Sequence, residues 1–172
     1  HDHLCYTTDL PRSFVLNMSD EPDKMEYKSC NPKNKLQNAQ WRHPKKLQIV
    51  ARPEREFVYR DFVASRNGGD GVLVIKNQTP GLYWMTLTVF DSKADAGPLT
   101  VACGDQKLVD SVNIPSGTCL VKTVPLWIKS AETSIRFSGN WKLNALALQL
   151  TMGEREDYQF NRSYWNMKCE GE

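Results

Sequence analysis

The chain of 172 residues has no apolar run approaching the roughly 18 residues that a membrane-crossing helix needs, so no such span is expected. It has no CxxC pair, and its five cysteines (Cys5, Cys30, Cys103, Cys119, Cys169) lie outside any short-range Cys/His spacing, which argues against structural zinc. The odd count leaves at least one thiol free or bridging chains. Cys5 with Cys30 and Cys103 with Cys119 are the pairs an oxidising compartment would allow, with buried thiols as the alternative. Histidine is scarce as well: His1 and His3 sit at the N-terminus and His43 in a basic stretch, and no Gly-x-Ser-x-Gly elbow occurs, so an activated nucleophile has no base. A charge excess is also missing. With 22 basic and 20 acidic residues the net charge is +2, which does not call for a phosphate-backbone partner, and Arg42, His43, Lys45 and Lys46 read as a solvated loop. The opening His1-Asp2-His3 has neither the charged nor the apolar segment of a secretory signal, as expected of a mature or trimmed chain.

What is present has the composition of one soluble globular domain, 40% hydrophobic and 24% charged. Residues 1–55 are polar and punctuated by Pro11, Pro22, Pro32 and Pro44, with one strand-like run from Ser13 to Met18, and they are expected to form an irregular extension packed on a core. From residue 56 to 152 short β-rich runs alternate with turn signals, which predicts a β-sandwich. Strands are expected at about 56–64, 71–76, 82–90, 98–103, 107–114, 119–128, 132–138 and 142–151. Asn67-Gly68-Gly69-Asp70-Gly71, Pro80-Gly81 and Pro115-Ser116-Gly117 supply the turns. Residues 153–172, charged and then aromatic, are expected to be a tail or a linker to a following domain. Sequons stand at Asn17, Asn77 and Asn161 and matter only in a glycosylating pathway.

Alternation assigns the faces. From Leu82 to Phe90, the residues Tyr83, Met85, Leu87 and Val89 form the better core face, and Trp84, Thr86, Thr88 and Phe90 point the other way. Leu146, Leu148 and Leu150 share a face with Asn144.

The runs Tyr59-Arg60-Asp61-Phe62-Val63, Gly81 to Asp91, Val124-Pro125-Leu126-Trp127-Ile128 and Ser134 to Leu146 resemble those of galactose-binding-like sandwich modules. Such modules resemble carbohydrate-binding modules and accompany secreted bacterial polysaccharide-degrading enzymes. The closing stretch Asp157 to Trp165 is similar to a connector between such a module and a catalytic domain. The resemblance covers residues 56–165 and implies an all-β antiparallel jelly-roll sandwich. Phe90-Asp91 departs from it where many relatives carry a Gly-Asp turn. It further implies a non-catalytic accessory domain, carbohydrate-binding or structural, in a secreted or periplasmic protein. Two alternatives stand beside that one: a protein-protein interaction domain that docks a catalytic partner, and a hydrolase or lyase that uses loop carboxylates.

Sugar rings present apolar C–H faces, so aromatic planes flanked by polar groups are the natural binding candidates. Trp84, Trp141 and Trp41 are taken as such, with Asp61, an acid inside an aromatic run, beside them. Asp61, Asp91, Asp105, Asp110 and Glu132 are the acids that paired carboxylate chemistry would draw on. The Asn67 to Gly71 loop, with the Asp70 carboxylate, is the place for a structural Ca²⁺, and a plain glycine turn is the competing reading. No other cofactor is expected. The expected partners are a polysaccharide or oligosaccharide and an attached catalytic domain.

Overall fold

The structure is a computed structural model that describes residues 14–152. The strand-like start at Ser13, Cys5, Cys169, the sequon at Asn161 and the aromatic tail lie outside the described residues.

In chain order the strands are β1 (Phe14–Asn17), β2 (Tyr27–Ser29), β3 (Ala39–Trp41), β4 (Leu47–Ala51), β5 (Asp61–Ser65), β6 (Gly71–Lys76), β7 (Gly81–Val89), β8 (Ala96–Cys103), β9 (Gln106–Ile114), β10 (Leu120–Ile128), β11 (Glu132–Gly139), β12 (Lys142–Leu143) and β13 (Ala145–Met152). They form one sheet in the order β10-β7-β13-β1-β2, a second in the order β3-β6-β11-β8-β9, and a small third sheet β12-β5-β4. All pairings are antiparallel except β1 with β2. Among the described residues no helix is long and apolar enough to cross a membrane.

The period-two pattern of β7 decides which way the first sheet faces. Tyr83, Met85, Leu87 and Val89 are all buried. Their register neighbours Leu126 and Val124 on β10 and Leu150, Leu148 and Leu146 on β13 are buried with them. Leu73, Ile75, Ile135, Phe137 and Val101 of the second sheet belong to the same core, as in two stacked sheets whose inner faces interdigitate. The Tyr83 hydroxyl donates to the Thr79 carbonyl at 2.6 Å, so its polar end is satisfied at the margin of that core.

The N-terminal stretch is more structured than its prolines suggest. Where the sequence predicts one strand-like run and otherwise irregular chain, residues 14–51 supply four strands. β1 lies inside the first sheet, beside β13, with Leu16 opposite Leu146. β3 forms the edge of the second sheet and β4 the edge of the third. The run predicted at 56–64 divides into a 3₁₀ turn at Phe57–Tyr59 and β5. The run predicted at 142–151 breaks at Asn144, which is fully buried. Its Oδ1 accepts from the Phe90 amide at 2.8 Å and its Nδ2 donates to the Val58 carbonyl at 3.0 Å. A buried amide with both ends bonded costs little, and here it joins three segments of chain. Cys30, Cys103 and Cys119 are free thiols, so neither disulfide considered from the sequence is formed. Burial pushes the Cys30 thiol up to about 12, which keeps it protonated.

One ion cluster ties the small sheet to the rest. Asp91, just past β7, is buried and accepts from Arg52 Nε at 2.8 Å, from Arg52 Nη2 at 3.1 Å, from the Lys93 amide at 2.9 Å and from Lys142 Nζ. Arg52 and Lys142 both lie over the Phe62 ring, at 5.4 and 5.2 Å from its centre. Burial by itself pushes the Asp91 carboxyl up, but the bonds from Arg52 and Lys142 outweigh it and hold the group well below the carboxylate range. The folded-state value is therefore depressed. Its stabilising contribution is complete above the unfolded-state value near pH 4 and is lost as the pH falls below it. Asp91→Ala is expected to lower unfolding free energy at pH 7 by about 3–5 kcal/mol, because it strands a buried Lys142 charge. In urea titrations the deficit should shrink as the pH is taken below about 4.

Candidate functional site

Two clefts lie on either side of segment 41–47, the stretch that carries the chain from β3 into β4. That segment turns sharply at His43, whose backbone is left-handed (φ 50°, ψ 57°) and precedes Pro44. Such a conformation is uncommon for a non-glycine residue, and here it opens a 3₁₀ turn closed by the Lys46 amide donating to the His43 carbonyl at 3.0 Å. The result is a ridge from which Arg42, His43, Lys45 and Lys46 all project, exposed.

The first cleft, of about 560 Å³, has the ridge residues Arg42, His43 and Lys46 on one side and the loop from Ser65 to Asp70 on the other. Val72 and Arg136, cross-strand partners on β6 and β11, complete it from the solvent face of the second sheet. The loop is held from within. Ser65 Oγ accepts from the Asn67 amide at 3.2 Å and the Gly69 amide at 2.8 Å, and the Gly69 carbonyl accepts from Trp141 Nε1 at 2.9 Å. Asp70 accepts from Arg136 Nη1 at 3.3 Å, a pair in which both side chains are about half exposed.

The second cleft, of about 760 Å³, runs between the edge strands β3 and β4 and is closed by the turn at 31–35. Trp41, Leu47 and Ile49 give it apolar wall, and Gln40, Asn34 and Arg66 supply polar groups. Gln40 Oε1 accepts from Lys76 Nζ at 3.2 Å, leaving its amide nitrogen to face other acceptors. The turn is rigid: Asn31 Oδ1 accepts from the Lys33 and Asn34 amides at 2.9 and 3.2 Å.

The residues singled out from sequence fall in different places. Asn67 and Asp70 line the first cleft and Trp41 borders the second. Trp41 and Trp141 are almost wholly buried, their rings stacked 5.6 Å apart at 22°, with Phe137 packed against both at 5.7 and 5.5 Å. Neither offers an open ring face, because the stack consumes them. Trp84 lies on the outer face of the first sheet, as alternation requires, and is half-buried, its Nε1–H shielded without an acceptor. Asp61 is buried apart from both clefts, accepting from Ser19 Oγ at 2.8 Å and from Arg60 Nη1 at 3.2 Å. Burial raises its carboxyl despite those bonds.

For a divalent cation the first-cleft loop is poorly furnished. Among the described residues no three His, Cys, Asp or Glu side chains converge, and Asp70 is turned to Arg136. Of the five acids considered for paired chemistry, Asp61 and Asp91 are locked in buried networks and Asp110 pairs with Lys107 at 3.7 Å. Asp105 and Glu132, both exposed, line a third, shallower cleft beside Lys129 and Trp127. The sequence reading missed the basic ridge as a cleft wall. Its charges are solvated as expected, but only the fold shows that they frame two concavities.

No family model matches the chain, and no curated protein matches it. Solved structures do share its fold. Bacteroides uniformis β-glucuronidase 2, covalently bound to cyclophellitol-6-carboxylate aziridine, superposes with TM-score 0.60 at 11% identity over 83% of this chain and 18% of that one. The plant receptor-like kinase ANX2 superposes with TM-score 0.59 at 12% identity over 81% of this chain and 48% of its own. A family 35 carbohydrate binding module from Clostridium thermocellum overlaps more loosely, with TM-score 0.48 at 10% identity over 79% of this chain and 96% of its own. The chain thus spans a minor part of the glucuronidase and about half of the kinase structure.

The loop geometry carries a direct test. A Cβ at Gly71 would sit 2.3 Å from Trp141 Cζ2 and 2.6 Å from its Cη2, and the ring cannot yield because Trp41 and the Gly69 carbonyl hold it. At Gly69 the nearest atom to an added Cβ is 4.0 Å away. Gly71→Ala is expected to lower unfolding free energy by about 1–3 kcal/mol, the ordinary range for overpacking, and Gly69→Ala by much less, as read by urea unfolding followed through tryptophan fluorescence. The chain has an all-β, largely antiparallel sandwich fold, which the matched parts of the glucuronidase and ANX2 structures share.

Proposed function

We propose that this chain is a non-catalytic accessory module that binds carbohydrate, part of a secreted or periplasmic bacterial polysaccharide-degrading protein. The observation that carries the reading is the cleft between β3 and β4. It is preformed, of a size suited to one or two sugar rings, and combines an apolar wall, in which Ile49 is partly exposed and Trp41 and Leu47 are buried, with amide and guanidinium donors from Gln40, Asn34 and Arg66. A ring C–H face suits Ile49, and sugar hydroxyls suit the polar set. The acids of the described residues support the non-catalytic part: the buried ones are engaged in ion pairs and hydrogen bonds, and the exposed Asp105 and Glu132 lack the burial that tunes a catalytic carboxyl. A domain of the same fold inside a Bacteroides β-glucuronidase supports attachment to a larger enzyme.

Affinity electrophoresis through gels that contain neutral and acidic polysaccharides tests this. Retardation by at least one is expected. Gln40→Ala should weaken it by about fivefold to tenfold, the loss of one neutral hydrogen bond, with the thermal midpoint unchanged. Free mobility in every gel would remove the binding role. Release of reducing ends that is abolished by Asp105→Asn or Glu132→Gln would replace it with an enzymatic one.

A further inference from the structure

The first cleft has a charge pattern that a neutral sugar does not need. Arg42, Lys46 and Arg136 bring three cations to its lining and His43 an imidazole, against one carboxylate, Asp70. The whole chain is nearly balanced, at +2, so this excess is a local concentration rather than a reflection of composition. The single carboxylate does not neutralise it. Asp70 meets only Arg136, at 3.3 Å, and a pair in which both partners are half exposed contributes little, so the guanidinium can turn to a ligand at small cost. The backbone that carries the donors is also fixed before any ligand arrives. Arg42 is anchored by its amide donating to the Val72 carbonyl at 2.9 Å, Arg136 stands on the ladder opposite Val72, and the facing loop is tied down by Ser65 and Trp141. Cations gathered in this way favour planar or tetrahedral oxyanions through charge-assisted bonds.

We infer that the first cleft is an anion subsite that recognises a carboxylate or sulfate group on an acidic polysaccharide, bound across the 41–47 ridge with neighbouring sugar in the second cleft. The inference rests on the carbohydrate-binding reading above and names its ligand class. The ridge links the two halves: Arg42, His43 and Lys46 line one cleft and Trp41, Pro44 and Lys45 the other. The second cleft carries Lys33, Lys35, Lys45 and Arg66 against Asp20 beside its apolar wall, so a glycan chain with an acidic unit meets cations on both sides of the ridge. A nucleic acid is the competing polyanion for so basic a surface, and the DNA gel below decides between the two.

The test compares the whole chain with its Arg42→Ala/Arg136→Ala variant on five gels: polygalacturonate, the same polymer after carboxyl reduction, dextran sulfate, dextran, and single-stranded DNA. Both substituted side chains are exposed, so the thermal midpoint should not move. The expected result is retardation by polygalacturonate or dextran sulfate at least about tenfold stronger than by the uncharged counterpart, reduced about tenfold or more in the variant and by 0.5 M salt. Which acidic gel responds separates carboxylate from sulfate. Equal retardation by a neutral polymer, unchanged in the variant, would overturn the anion subsite yet leave glycan binding standing. Mobility unaffected by any polysaccharide would overturn both. DNA retarded as strongly as the acidic glycan would overturn the assignment in favour of a general polyanion surface.

Discussion

The stack of Trp41, Trp141 and Phe137 is the constraint on which the rest of the architecture turns. Three rings from β3, from β11 and from the corner between β11 and β12 occupy one end of the core. Each ring reaches outward as well as inward. Trp141 carries the Gly69 carbonyl on its indole nitrogen, so the packing of the core sets the position of the loop that walls the first cleft. Trp41 ends the edge strand from which the basic ridge departs, so the same stack sets where Arg42 and His43 begin. Aromatic pairs in offset and tilted contact contribute roughly 0.5–1.5 kcal/mol each beyond burial, and their larger value here is directional. Gly71 is part of this arrangement, because only a residue without a side chain lets β6 pass beneath the indole.

A second layer of the design pairs charge where it is buried. Asp91, Arg52 and Lys142 form a closed network under Phe62, and Asp61 is enclosed by Ser19 and Arg60. Those groups spend their hydrogen bonds on one another, and they fasten the small sheet to the larger ones. The ridge residues Arg42, His43, Lys45 and Lys46 and the half-exposed Arg136 instead face solvent.

Much of the sandwich is legible in the sequence. The strands from β6 to β11 fall within one or two residues of their expected ends because their apolar residues alternate and their turns are marked by Gly and Pro. The face assignment of Tyr83, Met85, Leu87 and Val89 follows from alternation alone. β1 falls inside the strand-like run expected from Ser13 to Met18, but β2 to β4 are harder to see, since three to five residues hold too few alternations to set a period and prolines intervene. Asn144 interrupts a continuous apolar run through tertiary hydrogen bonds to Phe90 and Val58, which no local pattern announces. The tryptophans show the same limit. Their chemistry marks them equally as core and as sugar platform, and the stack that buries Trp41 and Trp141 is a long-range event. The basic residues 42–46 are plain in the sequence, but concavity belongs to the fold.

The central claim is that ligand is taken on both sides of the 41–47 ridge and nowhere else on the sandwich. Amide and indole N–H chemical shifts followed during titration with an acidic oligosaccharide report on it residue by residue. The account expects shifts concentrated at Gln40, Arg42, His43, Asn67, Asp70 and Arg136. Shifts confined to Trp84 on the outer sheet, or to Gln106, Trp127 and Glu132 around the third cleft, would contradict it.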